Sequence, residues 1–218
     1  ASRLIRKRRY WMKLFMANPP RETMDGFLYT LFNRWHRTMR DYKCKYAEVS
    51  TSSTETHLPY VYGEKTQVGL LGIAAYRAQG FPLMEFEQDK KTRTGRGRQD
   101  LGTIAGNSCI WDIEAKFLQI GVANPEFEGT VKSKVTEAVN DAKKLRCRSA
   151  AHTVGLTFVA PCGASNTRDL KLFSSQVFKV SGSIRNRFSA IHFCERESWR
   201  QSAHPDCPGI AIIGQFVP

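Results

Sequence analysis

The sequence predicts an α/β fold, in which a mixed central β-sheet is flanked by helices and follows a helical N-terminal segment. Apolar residues recur at helical spacing in several stretches, and short runs rich in β-branched and aromatic residues lie between these stretches. From residue 64 to residue 160 the predicted order is helix, three strands, helix and strand. Such a succession is typical of a sheet whose faces are covered by helices.

Residues 1–56 are predicted to form a basic helical segment ahead of an α/β domain at residues 57–218. The Asn18-Pro19-Pro20 stretch can start a helix, and large apolar side chains recur every three or four positions after it. They form one stripe: Met24, Phe27, Leu28, Leu31, Phe32, Trp35 and Met39. We therefore expect an amphipathic helix with one buried side, followed by a polar linker at residues 50–56.

The α/β domain is expected to begin with a helix at residues 64–79, and Gly80 fits the position just past its end. Strands are expected at residues 81–88, 100–104 and 109–118, with a basic turn at residues 89–99. A second helix is marked by apolar residues between 131 and 142, and the continuous apolar run at residues 154–160 predicts a buried strand. A helix at residues 169–178 and strands at residues 188–194 and 210–216 complete the prediction.

Charge and cysteine usage narrow the classes of function. The chain has 33 Lys and Arg residues against 20 Asp and Glu residues, which gives a net charge of +13. This excess favours association with a polyanion such as nucleic acid. No apolar run approaches the ~18–20 residues that a membrane span needs, and the N-terminus does not resemble a secretory signal. The six cysteines are widely separated, which suits free thiols in the cytoplasm better than a disulfide scaffold.

The strand at residues 109–118 carries the most informative charges in the chain. Side chains alternate across a strand, so Glu114 and Lys116 project from one face. If the preceding strand pairs with this one in a hairpin, Asp100 meets Glu114 at one end of the sheet. Two carboxylates suit Mg²⁺, for which Mn²⁺ can substitute, and Lys116 could orient a water molecule or stabilise charge on phosphorus. Glu64 lies on the core-facing stripe of the first helix of the domain, where its carboxylate needs a partner.

These residues resemble the motif of the PD-(D/E)xK nuclease superfamily. Gly97-Arg98-Gln99-Asp100 matches the first half, with Gln99 in place of proline, and Glu114-Ala115-Lys116 matches the second half. The resemblance covers residues 62–160 and implies a restriction-endonuclease-like core. It also implies that Asp100 and Glu114 bind Mg²⁺, that Lys116 is the catalytic lysine, and that Glu64 is an accessory carboxylate of the active site.

A basic run just before Asp100 is predicted to bind the nucleic-acid backbone through Lys90, Lys91, Arg93, Arg96 and Arg98. The predicted function is therefore Mg²⁺-dependent hydrolysis of phosphodiester bonds, with DNA preferred over RNA. Two alternatives stay open: a non-catalytic nucleic-acid-binding protein, and an interaction subunit of a larger assembly that docks a partner through its N-terminal helix. A homodimer or a larger assembly is compatible with either.

Overall fold

The structure is a computed structural model that describes residues 25–49, 59, 62–89, 96–105, 109–145, 152–164, 166–185, 187–193 and 209–217. Four helices and six strands lie in these ranges. They are α1 (Asp25–Val49), α2 (Glu64–Arg77), β1 (Phe81–Asp89), β2 (Arg96–Ile104), β3 (Ile110–Gly121), α3 (Phe127–Ala142), β4 (His152–Cys162), α4 (Thr167–Ser183), β5 (Arg187–Phe193) and β6 (Gly209–Phe216). The predicted α/β class, with a mixed sheet flanked by helices, is confirmed.

All six strands join one sheet in the order β1-β2-β3-β4-β6-β5. β3 and β4 pair in parallel along their whole length, from Trp111–His152 to Gly121–Cys162, and the crossover between them contains α3. The other neighbouring strands pair antiparallel. β3 and β4 are the two central strands of this sheet, which explains why both are largely apolar where their side chains meet helices.

Two hydrophobic clusters lie on the two faces of the sheet. One contains buried side chains of α1 and α2 together with Trp111, Ile113 and Ala115 of β3. The other contains buried side chains of α3 and α4 together with Ile120 of β3. Because side chains alternate along a strand, the even-numbered residues of β3, including Glu114 and Lys116, project toward the face of α3 and α4.

Most predicted elements are confirmed within one to four residues at each end, but the segment predicted as a basic turn overlaps the described strands at both of its ends. Asp89 and residues 96–99 belong to strands, where Asp89 pairs with Arg96 and Glu87 with Arg98, and residues 90–95 lie outside the described residues. Gly80 does follow α2, but Gln79 rather than Gly80 adopts the left-handed conformation, with φ of 64°. Gly80 is needed for space, because a Cβ there would lie 2.8 Å from Thr103 Oγ1.

Helix α1 packs onto the sheet of the same chain. Leu31, Phe32 and Trp35 are fully buried in the cluster that also holds α2 and the odd-numbered residues of β3. The predicted amphipathic helix with one buried side is thereby confirmed, and its aromatic stripe is covered by this chain's own core. The boundary predicted at residue 56 lies outside the described residues. None of the described helices is long and apolar enough to span a membrane.

A buried histidine pair joins α1 to β5. His36 Nδ1 lies 2.8 Å from His192 Nδ1, and each residue is 5% exposed. Burial, assisted by the charges of Arg40 and Arg37, lowers the pKa of His36 from 6.5 to about 4. In this pair one neutral ring donates a hydrogen bond and the other accepts it. Protonation of His36 turns both of its ring nitrogens into donors and places a charge in a buried environment, so the folded protein disfavours it.

We expect the free energy of unfolding to fall by about 2 kcal/mol as the pH drops from 6.5 to 4. In this window the unfolded chain binds a proton at residue 36 that the folded chain does not bind, so acid favours unfolding. Urea titrations followed by circular dichroism at several pH values would measure the effect. His36→Phe should flatten this part of the profile, and an unchanged slope in that variant would contradict the assignment.

Candidate active site

The candidate site is built where β3 continues past the end of its pairing with β2. The register pairs of these strands run from Ile104–Ile110 to Leu101–Ile113. Beyond that point the amide of Ala115 donates to Asp100 Oδ2 at 2.7 Å, and the amide of Phe117 donates to the Glu64 carboxylate. Two acidic side chains thus accept hydrogen bonds from the strand edge, and each comes from a different element.

The start of α2 places Glu64 beside this edge. Glu64 is the first residue of the helix, where a negative charge is favoured by the helix dipole. The fully buried Gln67 holds the chain that leads into the helix, because its amide donates to the carbonyls of Pro59 at 2.7 Å and Tyr62 at 3.2 Å. Packing one turn into α2 therefore fixes the position of the carboxylate at its beginning.

Glu64, Asp100 and Lys116 are close enough to influence one another's charge. Burial raises the pKa of Glu64, and the neighbouring Asp100 raises it further, whereas Lys116 and the Phe117 amide act in the opposite direction. The net effect is a raised pKa, so the Glu64 carboxylate holds its proton more tightly than an exposed glutamate does. A cation placed between Glu64 and Asp100 would relieve their mutual repulsion.

Lys116 is held by an aspartate on α3. Its Nζ lies 2.9 Å from Asp141 Oδ2, and the two side chains are only 19% and 27% exposed. Burial lowers the pKa of Lys116, but the hydrogen bond and charge of Asp141, with the charges of Glu64 and Asp100, outweigh burial and raise the pKa overall. Lys116 is therefore an ammonium group at neutral pH.

Glu114 precedes Ala115, whose amide donates to Asp100, and Glu114 itself is only 3% exposed. It pairs in register with Gly155 of β4, where an added Cβ would meet the backbone of α3 at 2.4 Å, so both residues face α3. The described register of β2 with β3 ends at Leu101–Ile113, one position before Asp100 and Glu114 would pair. Their role as the two metal ligands stays a prediction.

Gln99, which stands where the motif has proline, has a structural role of its own. It is fully buried, and its amide donates to Asp112 Oδ1 at 2.7 Å and to the Leu101 carbonyl at 3.2 Å. The contact to Asp112 crosses from β2 to β3 just before the strands part. It satisfies one oxygen of a buried carboxylate and holds the position from which Asp100 projects.

The predicted nucleic-acid contacts fall mainly outside the described part of the chain. Lys90, Lys91 and Arg93 lie outside the described residues, and Arg96 and Arg98 lie in β2. Both arginines therefore lie on the same strand as Asp100, four and two residues before it. Their role in binding a phosphate backbone stays a prediction.

Asp141 is the member of the site that the sequence interpretation missed. It lies between Ala138 and Ala142, which are buried, so it borders the apolar stripe of α3. A carboxylate at that border is a weak signal of a buried partner, but nothing local indicates that the partner is Lys116, 25 residues earlier in the sequence. Only the packing of α3 on β3 shows this pair.

The donor set fits a magnesium ion in part. Among the described residues no group of three or more His, Cys, Asp or Glu side chains has the arrangement of a metal site. Mg²⁺ commonly takes only one or two carboxylates from the protein and completes its shell with water and substrate phosphates. The hard oxygens of Asp100 and Glu64, whose charges influence each other, supply that number.

Comparison with known proteins finds no relative of this chain. Neither the protein-family models, nor the curated proteins, nor the solved structures contain a match to the chain.

Proposed function

We propose that this protein is a Mg²⁺-dependent nuclease of the PD-(D/E)xK type that hydrolyses phosphodiester bonds, preferably in DNA. One observation carries the proposal. Glu64, Asp100 and Lys116 come from α2, β2 and β3, yet they interact at the single point where β3 loses its β2 partner. These are the residues that the motif predicts, apart from Glu114, which precedes Lys116 by two residues on β3.

The reaction requires a water molecule to attack phosphorus in line with the leaving oxygen. The bond between the water oxygen and phosphorus forms as the bond from phosphorus to the leaving oxygen breaks, and the leaving oxygen takes a proton from solvent. The proton of the water passes to a carboxylate of the site, for which Glu64 is suited because its raised pKa makes it a better proton acceptor. Bound Mg²⁺, held by Asp100 and Glu114, would polarise the phosphodiester and favour ionisation of the water.

Lys116 is assigned the stabilisation of negative charge. A lysine with a raised pKa stays protonated at neutral pH, so it donates hydrogen bonds and does not serve as the base. An ammonium beside the carboxylates can hold the attacking water or a non-bridging phosphate oxygen in place. Fixed donors of this kind stabilise the charge that develops in the transition state.

The net charge of +13 supports a nucleic-acid substrate. Basic residues near the site, among them Arg96 and Arg98 of β2, would contact the phosphate backbone without reading its sequence. We propose a cytoplasmic enzyme with double-stranded DNA as the preferred substrate and RNA as a poorer one.

Replacement of Lys116 by methionine tests the proposal. Methionine keeps much of the length and apolar stem of lysine but removes the ammonium, so cleavage of supercoiled plasmid should fall about 100- to 1000-fold. Nicking and linearisation are measured on gels in Mg²⁺, in Mn²⁺ and in EDTA, and EDTA should abolish cleavage by the unmodified protein. Affinity for a DNA duplex in EDTA should change by less than about threefold, since one exposed phosphate contact at most is lost.

The same assay separates the nuclease from the two alternatives. A chain that binds DNA but cleaves neither DNA nor RNA with either metal is a non-catalytic nucleic-acid-binding protein. A chain that binds neither and elutes as a complex with other proteins is an interaction subunit. Phe32 and Trp35 of α1 are buried in this chain's own core. Their burial counts against an interaction subunit that docks its partner through these two side chains.

A further inference from the structure

The carboxylate of Asp141 joins two lysines that belong to different elements. Its Oδ2 accepts from Lys116 of β3 at 2.9 Å, and its Oδ1 accepts from Lys144, which follows α3, at 2.7 Å. Both oxygens of Asp141 are therefore engaged. The Lys144 contact is half-exposed and spans only three residues, whereas the Lys116 contact connects the helix layer to the sheet and is largely shielded from solvent.

The surroundings of this pair make it rigid. α3 rests directly on β4 at Gly155, where the backbone of Val139 approaches so closely that no side chain fits. Asp141 lies two residues beyond Val139 on the same helix, and Lys116 lies two residues beyond the strand partner of Gly155. The backbone positions of both charged residues are thus set by one tight contact between helix and sheet.

We propose that Asp141 is a positioning residue, which holds the Lys116 ammonium next to Glu64 and Asp100. The inference rests on the proposed nuclease function and extends it to a residue outside the recognised motif. Without Asp141, the flexible side chain of Lys116 has Glu64 and Asp100 as its nearest anions, and an ion pair with these would occupy the carboxylates that the reaction needs. Asp141 holds the ammonium on the α3 side and so limits its pairing with Glu64 and Asp100.

The arrangement also sets the charge of Lys116. The hydrogen bond from Lys116 to Asp141 is the largest influence that raises its pKa against the effect of burial. Asp141 responds in the complementary sense: burial raises its pKa, but the hydrogen bonds from Lys144 and Lys116 lower it overall.

Asp141→Asn is the first test, because asparagine has the same shape and keeps one hydrogen-bond acceptor. We expect kcat for plasmid or oligonucleotide cleavage to fall about 10- to 100-fold while KM changes less than about twofold, since binding is not affected. Asp141→Glu, which restores the charge, should recover part of kcat.

The matched control is Glu128→Gln on the first turn of the same helix. Glu128 pairs with Lys132 and Lys179 on the surface, so this variant removes one charge from α3 far from Lys116. It should keep the kcat and KM of the unmodified protein. Equal losses in the two variants would show a general effect of charge or stability and would overturn the positioning role.

A measurement that does not need activity distinguishes failure of this inference from failure of the proposed function. Crystal structures of the unmodified protein and of Asp141→Asn would show where the Lys116 ammonium lies. An ammonium that leaves α3 and contacts Glu64 or Asp100 in Asp141→Asn supports the positioning role even if the unmodified protein cleaves nothing, in which case only the nuclease proposal fails. An ammonium that keeps its position in Asp141→Asn overturns the inference, whatever the activity.

Discussion

Asp100→Asn is expected to reduce Mg²⁺-dependent cleavage of DNA by about 1000-fold or more. Asp100 is the carboxylate that accepts from the Ala115 amide at 2.7 Å and that raises the pKa of Glu64 by its charge. Asparagine still accepts the hydrogen bond from Ala115 through its amide oxygen, so the local fold is kept. It lacks the negative charge, and a hard divalent cation then loses one of the few charged ligands that the protein offers.

Two measurements on Asp100→Asn isolate the chemical effect from the structural one. The melting temperature without metal should stay within a few degrees of the unmodified value, because repulsion with Glu64 is removed and the Ala115 contact is retained. The increase in melting temperature on adding Mg²⁺ should shrink or vanish, because a ligand that binds the folded state stabilises it. If the variant keeps more than a tenth of the cleavage rate, Asp100 is not a metal ligand of the reaction.

Gly155→Ala is expected to destabilise the fold by about 3 kcal/mol or more. A Cβ at this position would lie 2.4 Å from Val139 N, 2.6 Å from Val139 Cα and 2.7 Å from the carbonyl carbon of Ala138. These are backbone atoms of α3, so no rotation of a side chain can relieve the overlap. The helix must move away from β4, and since α3 carries Asp141, the contact to Lys116 should lengthen as well.

A second strand glycine provides the control for this variant. Gly121 ends β3 and lies in register with Cys162 of β4, and a Cβ there would have no atom within 4 Å outside its immediate chain neighbours. Gly121→Ala should therefore change the free energy of unfolding by less than about 1 kcal/mol. Urea unfolding by circular dichroism measures both variants, and equal stability of Gly155→Ala and the unmodified protein would contradict the tight packing of α3 on β4.

The local elements could be predicted from the sequence because their patterns are properties of neighbouring residues. The period of apolar side chains identifies α1, α2, α3 and the strands within a few residues, and alternation along β3 correctly separates Lys116 and Glu114 from Trp111, Ile113 and Ala115. The antiparallel hairpin of β2 and β3 also follows from short-range order, whereas its described register ends one position before Asp100 and Glu114.

Interactions between distant segments depended on the tertiary structure. Where β2 separates from β3, the amide of Ala115 donates to Asp100 and the amide of Phe117 donates to Glu64. No local sequence pattern marks that point. The pairing of Asp141 with Lys116 depends on where α3 settles on the sheet, which Gly155 decides through a contact between backbones.

The sequence by itself thus determined the α/β class, the order of the elements and the candidate site residues at the edge of β3. The tertiary structure alone decided that α1 belongs to the same core as the sheet and that Asp141, not a residue of the motif, holds Lys116. The physical reason is that periodicity reports which side of an element is buried, whereas the partner on that side is chosen by packing between segments far apart in the chain.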